Sequence, residues 1–363
     1  LWKIANKLHL IGFVQLLLTA RHTGIRQAVK QRKIQKKATQ KSVIEQSTLS
    51  GISELGTCED AQENEQIEAF RYRKAFYKTV LEGGMTETAR KIAEIIAQRP
   101  HKGIVVYPHA VHWEPMQRPQ HFLRAFAEEG YLCFFCEAPS DHGTVEEKYD
   151  NVFVVYGEEN LLTPLQNQCP IVLCTFHIQI PFVDSLPQKI IWFDVLDKLD
   201  FFAGGSSNLA NTIYKKLIQD ADIVSYSADN LKKYLAERND AIKLNNGVML
   251  SDFDGIEKAT KINVMEKIKA KGLPIIGYYC AIEAWFDKGA IRALLEKTDY
   301  EIVLIGRCGI DLNDLSNNRL HVLGMIPYKD LADYAKYFDL ALIPFVKNEL
   351  TDAVSPVKFY EYV

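Results

Sequence analysis

An α/β fold of two tandem parallel-sheet units is predicted by three features of this 363-residue sequence. From His101 onward, short continuous apolar runs alternate with helical patterns, as βαβ units require. A fresh first strand opens at residues 274–280 (PIIGYYC). The runs after it carry no hairpin signal. Two Rossmann-like units in tandem put a ligand cleft between them, at the carboxyl ends of both sheets.

Residues 103–107 (GIVVY) form a short apolar run suited to a strand buried on both faces. Residues 117–129 follow with helical periodicity through Phe122, Leu123 and Phe126, and Gly130 ends the helix. Further strands are predicted at 132–136, 152–155, 171–175, 190–193, 223–226 and 242–244, with helices at 209–219 and 228–237. In the second unit a lead-in helix at 261–272 precedes the strand at 274–280. A helix at 289–297, strands at 301–305 and 320–323, a helix at 328–337 and a strand at 340–345 (LALIPF) complete the order. A last helix is expected to open near Ser355. Serine is a good N-cap there and Pro356 a good first residue, since the missing N–H would be unpaired anyway.

The first hundred residues have a different texture. Residues 1–42 hold ten Lys or Arg and no acidic residue, with Ile4, Leu8, Ile11 and Leu18 at roughly helical recurrence. Two readings stand side by side. This segment is a basic amphipathic helix on an anionic membrane surface, anchored by Trp2 and Phe13, or it is the tail of an upstream domain. Residues 43–100 read as an acidic flexible linker, over 43–68, followed by a helix at 86–98 that ends before Pro100. The expected domains are therefore 101–258 and 259–363, both Rossmann-like. Because the sequence begins at Leu1 and stops within a predicted helix, it reads as a piece of a longer protein, expected by itself to bind donor poorly.

Composition narrows the function. The net charge of −3 argues against nucleic-acid binding through bulk electrostatics. No run reaches the length of roughly 18 apolar residues that a membrane span needs. The seven cysteines are odd in number and mostly sit in apolar runs, the usage of a reducing compartment, and Cys133-x-x-Cys136 reads as two packed thiols. There is no G-x-G-x-x-G after either first strand, no Walker lysine sequence, no G-x-S-x-G and no H-E-x-x-H. Asp220-Ala-Asp222 precedes a strand, where a metal-diphosphate site would follow one, so no metal is expected.

Chemistry is expected just after strands. In the first unit this selects His109, Trp113 and Arg118, then His177, then Asp194, Asp197 and Asp200. The Gly204-Gly205 pair is a weak loop signal. In the second unit it selects Glu283, Trp285, Lys288, Arg307 and the segment 349–361. Lys358 and Glu361, three apart, share a helix face, one able to meet phosphate and the other to accept from sugar hydroxyls. A helix start at Ser355, with Lys288, Arg307 and Lys358, would meet the charge of a leaving diphosphate.

Several segments together resemble glycosyltransferases of the GT-B fold, specifically family 4 and a bacterial subgroup acting on surface polysaccharides. The segments are WEPMQRPQHFLRAFAEEG, ADIVSYSADNLKKYL, LNNGVMLSDF, PIIGYYCAIEAWFDKGAI, LHVLGMIPYKDLADYAKYFDLALIPF and NELTDAVSPVKFYEY. The resemblance implies that Glu361 accepts from the donor ribose and that the backbone around Ser355 and Val357 holds the diphosphate. It likewise implies that Glu349 lies near the donor sugar, Gly324 borders the base and Lys288 binds phosphate. Trp113 and Arg118 would lie on the acceptor side, with Asp194, His177 and Asp197 as catalytic candidates. Two departures stand out: Ala353 occupies the place of the first glutamate of the E-x7-E motif, and Glu283 that of a basic residue.

The implied activity is transfer of a hexosyl unit from a nucleotide-diphosphate sugar to a glycan or lipid-linked surface-polysaccharide acceptor. It implies retention, no cofactor and no metal, in the cytoplasm or at the inner face of the plasma membrane. The alternatives are a non-catalytic glycosyltransferase-like module and a GT-B nucleotide-sugar epimerase.

Overall fold

The computed structural model describes residues 61–140, 144–198, 208–235, 238–253 and 261–362. The basic segment 1–42, residues 43–60, Asp200, Gly204, Gly205 and the expected 258/259 boundary lie outside the described residues. Two compact units emerge. One holds the chain up to Trp113 together with Pro119–Asn245, the other Glu114–Arg118 with Asn246–Val363.

The first unit is built on an eight-stranded sheet. Its strands are β1 (Ile104–Tyr107), β2 (Leu132–Glu137), β3 (Val145–Tyr149), β4 (Val152–Tyr156), β5 (Ile171–Cys174), β6 (Ile190–Val195), β7 (Ile223–Tyr226) and β8 (Ile242–Lys243). They lie in the order β3-β4-β2-β1-β5-β6-β7-β8. All neighbours are parallel except β3 and β4. Strand β1 is buried throughout, as its unbroken apolar run requires. The chain winds outward from β1 in one direction through β2 and β4 and in the other through β5 to β8. The carboxyl ends of β1 and β5 are therefore the topological switch point, where open α/β sheets bind ligands.

Three features depart from expectation. Residues 61–68, read as linker, belong to a 23-residue helix, α1 (Ala61–Gly83). Its polar composition hides a tertiary anchor. Ile67, Phe70 and Tyr77 are buried, Arg73 pairs with Glu158 and donates to the Ile178 carbonyl at 2.7 Å, and Lys74 pairs with Asp184 at 2.8 Å. Strand β3 went unpredicted because Glu146, Glu147 and Lys148 give it no apolar run. It is an exposed edge, where charged residues discourage pairing with another chain. Helix α2 (Glu87–Gln98) matches its prediction, with Thr86 Oγ1 accepting from the Ala89 N–H at 3.0 Å. Helices α3 (Arg118–Glu128), α4 (Ile180–Asp184) and α5 (Asn208–Asp220) complete the unit, while the described part of the helix expected at 228–237 is a 3-10 turn, Asp229–Leu235.

The second unit has α6 (Asn263–Lys269), β9 (Ile275–Tyr279), α7 (Lys288–Lys297), β10 (Glu301–Ile305), β11 (Leu320–Val322), α8 (Tyr328–Ala335), β12 (Leu340–Ala341) and α9 (Val357–Tyr362). Its sheet is wholly parallel, in the order β11-β10-β9-β12, so its switch point lies between β9 and β12. Tyr278, Ile302 and Leu304 pack on one face with Phe286 and Ile291; Ile275, Tyr279, Val303 and Ile305 pack on the other with Met265 and Tyr337. Strand β12 is shorter than the predicted 340–345. Pro344 has no N–H to continue a ladder, and the chain turns to bond the loop before α7 instead. There the Asp287 N–H meets the Pro344 carbonyl at 2.7 Å and the Val346 N–H that of Trp285 at 2.8 Å. Among the described residues no helix is long and apolar enough to cross a membrane.

Candidate functional site

At the switch point of the second sheet, β9 ends on Tyr279 and α9 packs against it. The Tyr279 N–H donates to Tyr362 Oη at 3.0 Å, and the two rings meet edge to face at 4.8 Å. One turn earlier on α9, Lys358 Nζ reaches both carboxylate oxygens of Glu361, at 2.8 and 3.0 Å. The ammonium also lies over the rings of Tyr279 (5.0 Å) and Tyr328 (5.8 Å). The Glu361 side chain is wholly buried and that of Lys358 only 13% exposed. Burial first, then the Glu361 charge, pushes the Tyr279 phenol far above its usual value, so it stays protonated.

The cap reading shifts by one residue. Helix α9 opens at Val357. Ser355 instead presents its carbonyl to Asn246 Nδ2, and Asn246 Oδ1 accepts from Arg118 Nη1 at 2.9 Å. The predicted acceptor-side Arg118 thus ties residues 114–118 to the segment before α9. Ala353 is buried, and Glu349 is exposed.

Around β10 and β11, Arg307 Nη2 pairs with Glu283 at 2.9 Å, its side chain 70% exposed. The Gly306 N–H donates to the Gly324 carbonyl at 2.8 Å, drawing these predicted donor residues together. Lys288, by contrast, spends its ammonium on the Asp311 carbonyl (2.7 Å) and Asp314 (2.5 Å). Asp287 caps α7 by accepting from the Ala290 N–H at 3.0 Å.

In the first unit the catalytic candidates are sequestered. Asp194 has no exposure: register places it opposite Ser225 on β7, whose hydroxyl donates to its carboxylate and accepts from Trp192 Nε1 at 2.8 Å. His177 is also buried, with Nδ1 at 3.1 Å from Tyr214 Oη and its ring stacked on Phe70. Asp197 is half-buried after β6. Trp113 packs edge-on against Phe135 at 5.2 Å, with its N–H held by Glu137. Cys133 and Cys136 are free and buried, and burial pushes both thiols up.

Burial lowers the His177 pKa from 6.5 to about 4. The unfolded chain therefore binds an extra proton between these values. The stability that this histidine contributes is full above pH 6.5 and is lost as the pH falls through that window. Melting curves from pH 7 to 4 are expected to show a fall in Tm that His177→Gln flattens.

Sequence reasoning selected His109, Trp113 and Arg118 after β1 but missed the side chains that hold this loop. Glu158 accepts from the His109 N–H at 2.8 Å, Gln179 Nε2 donates to the Pro108 carbonyl at 2.6 Å, and Gln120 Nε2 donates to the carbonyls of His112 (3.0 Å) and Trp113 (2.9 Å). Glu137 closes β2 and meets His112 Nδ1 at 2.7 Å. The rule that chemistry follows strands would have found Glu137, which directly follows the strand predicted at 132–136. Among the described residues no His, Cys, Asp and Glu cluster is arranged to hold a metal ion.

No family model matches the chain. TuaH of Bacillus subtilis (strain 168), named for a glycosyltransferase of teichuronic acid biosynthesis, is 25% identical over 214 residues, 52% of this chain and 53% of that protein. The chain thus spans about half the length of this relative. Trehalose-6-phosphate synthase OtsA superposes with a TM-score of 0.50 at 12% identity, over 67% of this chain and 78% of that one. The fold is GT-B-like. A further structure, described as trehalose-6-phosphate from E. coli bound with UDP-2-fluoro glucose, has a TM-score of 0.48 at 14% identity, over 67% of this chain and 78% of that one.

Proposed function

We propose that this chain belongs to a glycosyltransferase that moves a hexosyl unit from a nucleotide-diphosphate sugar to a surface-polysaccharide acceptor, free or lipid-linked. The observation that carries the reading is the Lys358–Glu361 pair on the helix at the switch point of the second sheet. There a cation and a carboxylate stand together where an α/β sheet receives its ligand. Each Glu361 oxygen keeps a second lone pair, which a ribose hydroxyl would engage once the site opens. Lys358, the exposed Arg307 and the backbone from Val354 to Val357 would meet the charge that develops on the departing diphosphate. Lys288 would join them after leaving Asp314. Likeness to TuaH supports the polysaccharide acceptor, and the motif resemblance supports retention, independence of metal and work at the inner face of the plasma membrane.

A second reading, a non-catalytic module, is favoured by the buried Ala353 and by a Glu361 whose side chain has no exposure. Incubating the full-length protein with a panel of nucleotide sugars separates the two. Transfer predicts that one of them raises Tm and is slowly consumed. If calorimetry detects no binding of any nucleoside diphosphate, the module reading stands.

A further inference from the structure

At the switch point of the second sheet a buried hydroxyl stands beside a buried ion pair. Tyr279, the last residue of β9, is 2% exposed, and its Oη has no hydrogen-bond partner among the described residues. A buried O–H left unpaired is costly, and native proteins seldom keep one without a reason. We propose that Tyr279 is a positioning residue of the donor site: its hydroxyl takes over Glu361 when a diphosphate draws the Lys358 ammonium away. The role rests on the donor-site reading above, and every residue in it belongs to the second unit.

Neighbours hold the ring in place. Tyr362 packs edge-on against it at 4.8 Å, and Tyr362 Oη accepts from the Tyr279 N–H at 3.0 Å. Lys358 Nζ lies over its face, 5.0 Å from the centre. Burial first, then the Glu361 charge, raise the phenol, and the hydrogen-bonding approach of that carboxylate adds to this, so the proton stays on oxygen. Here the approach stops short of a formed bond. Lys358 Nζ already occupies both Glu361 oxygens, at 2.8 and 3.0 Å.

Donor binding asks two things of Lys358. Its ammonium must meet phosphate, yet it is already bonded to a Glu361 side chain that has no exposure. Withdrawing a cation from a buried carboxylate is strongly unfavourable, because the charge is left where water cannot solvate it. A neighbouring O–H with an uncommitted proton changes that balance. It donates to the carboxylate as the ammonium leaves, forming a charge-assisted hydrogen bond. Glu361 stays ionised, and its remaining lone pairs stay available to a ribose hydroxyl. Tyr328, whose ring also faces Lys358 at 5.8 Å, is less suited, because its hydroxyl donates to Asp252 at 3.1 Å. Packing does not explain the group. Phenylalanine would offer Lys358 the same ring face, so the cation–π contact accounts for an aromatic residue and not for its hydroxyl.

Three measurements on the full-length protein test the exchange, all with Tyr279→Phe, which removes the hydroxyl alone. In urea this change is expected to leave the wild-type unfolding midpoint unchanged or raised. In the Lys358→Met background, where Oη is left to donate to Glu361, it should lower the midpoint. A neutral hydroxyl replaces a cation only in part, so Lys358→Met itself remains destabilised. Equal effects in the two backgrounds overturn the exchange. Calorimetry with inorganic diphosphate, UDP, GDP and ADP reads the linked binding: Tyr279→Phe should raise Kd about 10–100-fold, the worth of a hydrogen bond to a charged group. Inorganic diphosphate is transparent where tyrosine absorbs, so difference absorption should show a tyrosine red shift on binding that Tyr279→Phe lacks. A packing role moves neither the coupling nor the spectrum. If the wild type binds but shows no red shift, or if the variant Kd stays within roughly twofold, the Tyr279 role falls and the donor site stands. If the wild type binds none of these probes and no sugar moves, the donor-site reading falls and takes the Tyr279 role with it.

Discussion

Lys358→Met and Glu361→Leu are each expected to cost about 3–5 kcal/mol in urea unfolding, because either one strands a buried charge without its partner. The double variant should recover most of that loss, since well-packed apolar residues replace a buried ion pair at little net cost. Its value lies in function. The double variant removes the cation and carboxylate proposed to meet diphosphate and ribose while leaving α9 packed on Tyr279. It should therefore fold and yet bind no nucleoside diphosphate by calorimetry. A double variant that transferred sugar at the wild-type rate would falsify the donor-site assignment. The geometry makes the outcome sharp: Glu361 is wholly buried, and both of its oxygens already bond Lys358.

Gly306→Ala is expected to destabilise the second unit by at least about 3 kcal/mol and to weaken donor binding as well. Gly306 has φ +140, which side chains rarely adopt, and an added Cβ would lie 2.0 Å from the Cys280 carbonyl oxygen. That oxygen belongs to backbone, so no rotamer change relieves the contact. The crossing also organises Arg307. The Ile282 N–H donates to the Arg307 carbonyl at 2.8 Å and the Gly309 N–H to that of Ile282 at 2.9 Å, so forcing the two loops apart moves the guanidinium. Gly272 supplies the control. It has φ +71 with nothing within 4 Å of an added Cβ, so Gly272→Ala should cost only about 1–2 kcal/mol and leave binding intact. Parallel urea titrations and calorimetry read both variants.

The parallel strands were legible because a strand buried on both faces must be a continuous apolar run. Thus Ile223–Tyr226 and Glu301–Ile305 fall where the pattern places them. What misled was polarity read without context. Helix α1 looks like linker until Ile67, Phe70 and Tyr77 find the first unit, and β3 looks like loop because an edge strand carries charge. The site was half legible. The pairing of Lys358 with Glu361 follows from helical spacing, and the gathering of Arg307 and Gly324 from the rule that loops after parallel strands converge.

By itself, then, the sequence determined the α/β class, the two sheets and the residues available at each strand end. These depend on local periodicity and on where apolar runs begin and stop. Tertiary structure alone decided which of those residues face solvent. Asp194 lies within β6, His177 just past β5 and Glu137 at the end of β2. Register against Ser225 buries the first, packing against Phe70 and Tyr214 buries the second, and Glu137 turns an exposed imidazole outward. Burial is a sum over neighbours distant in sequence, and that sum exists only once the chain has folded.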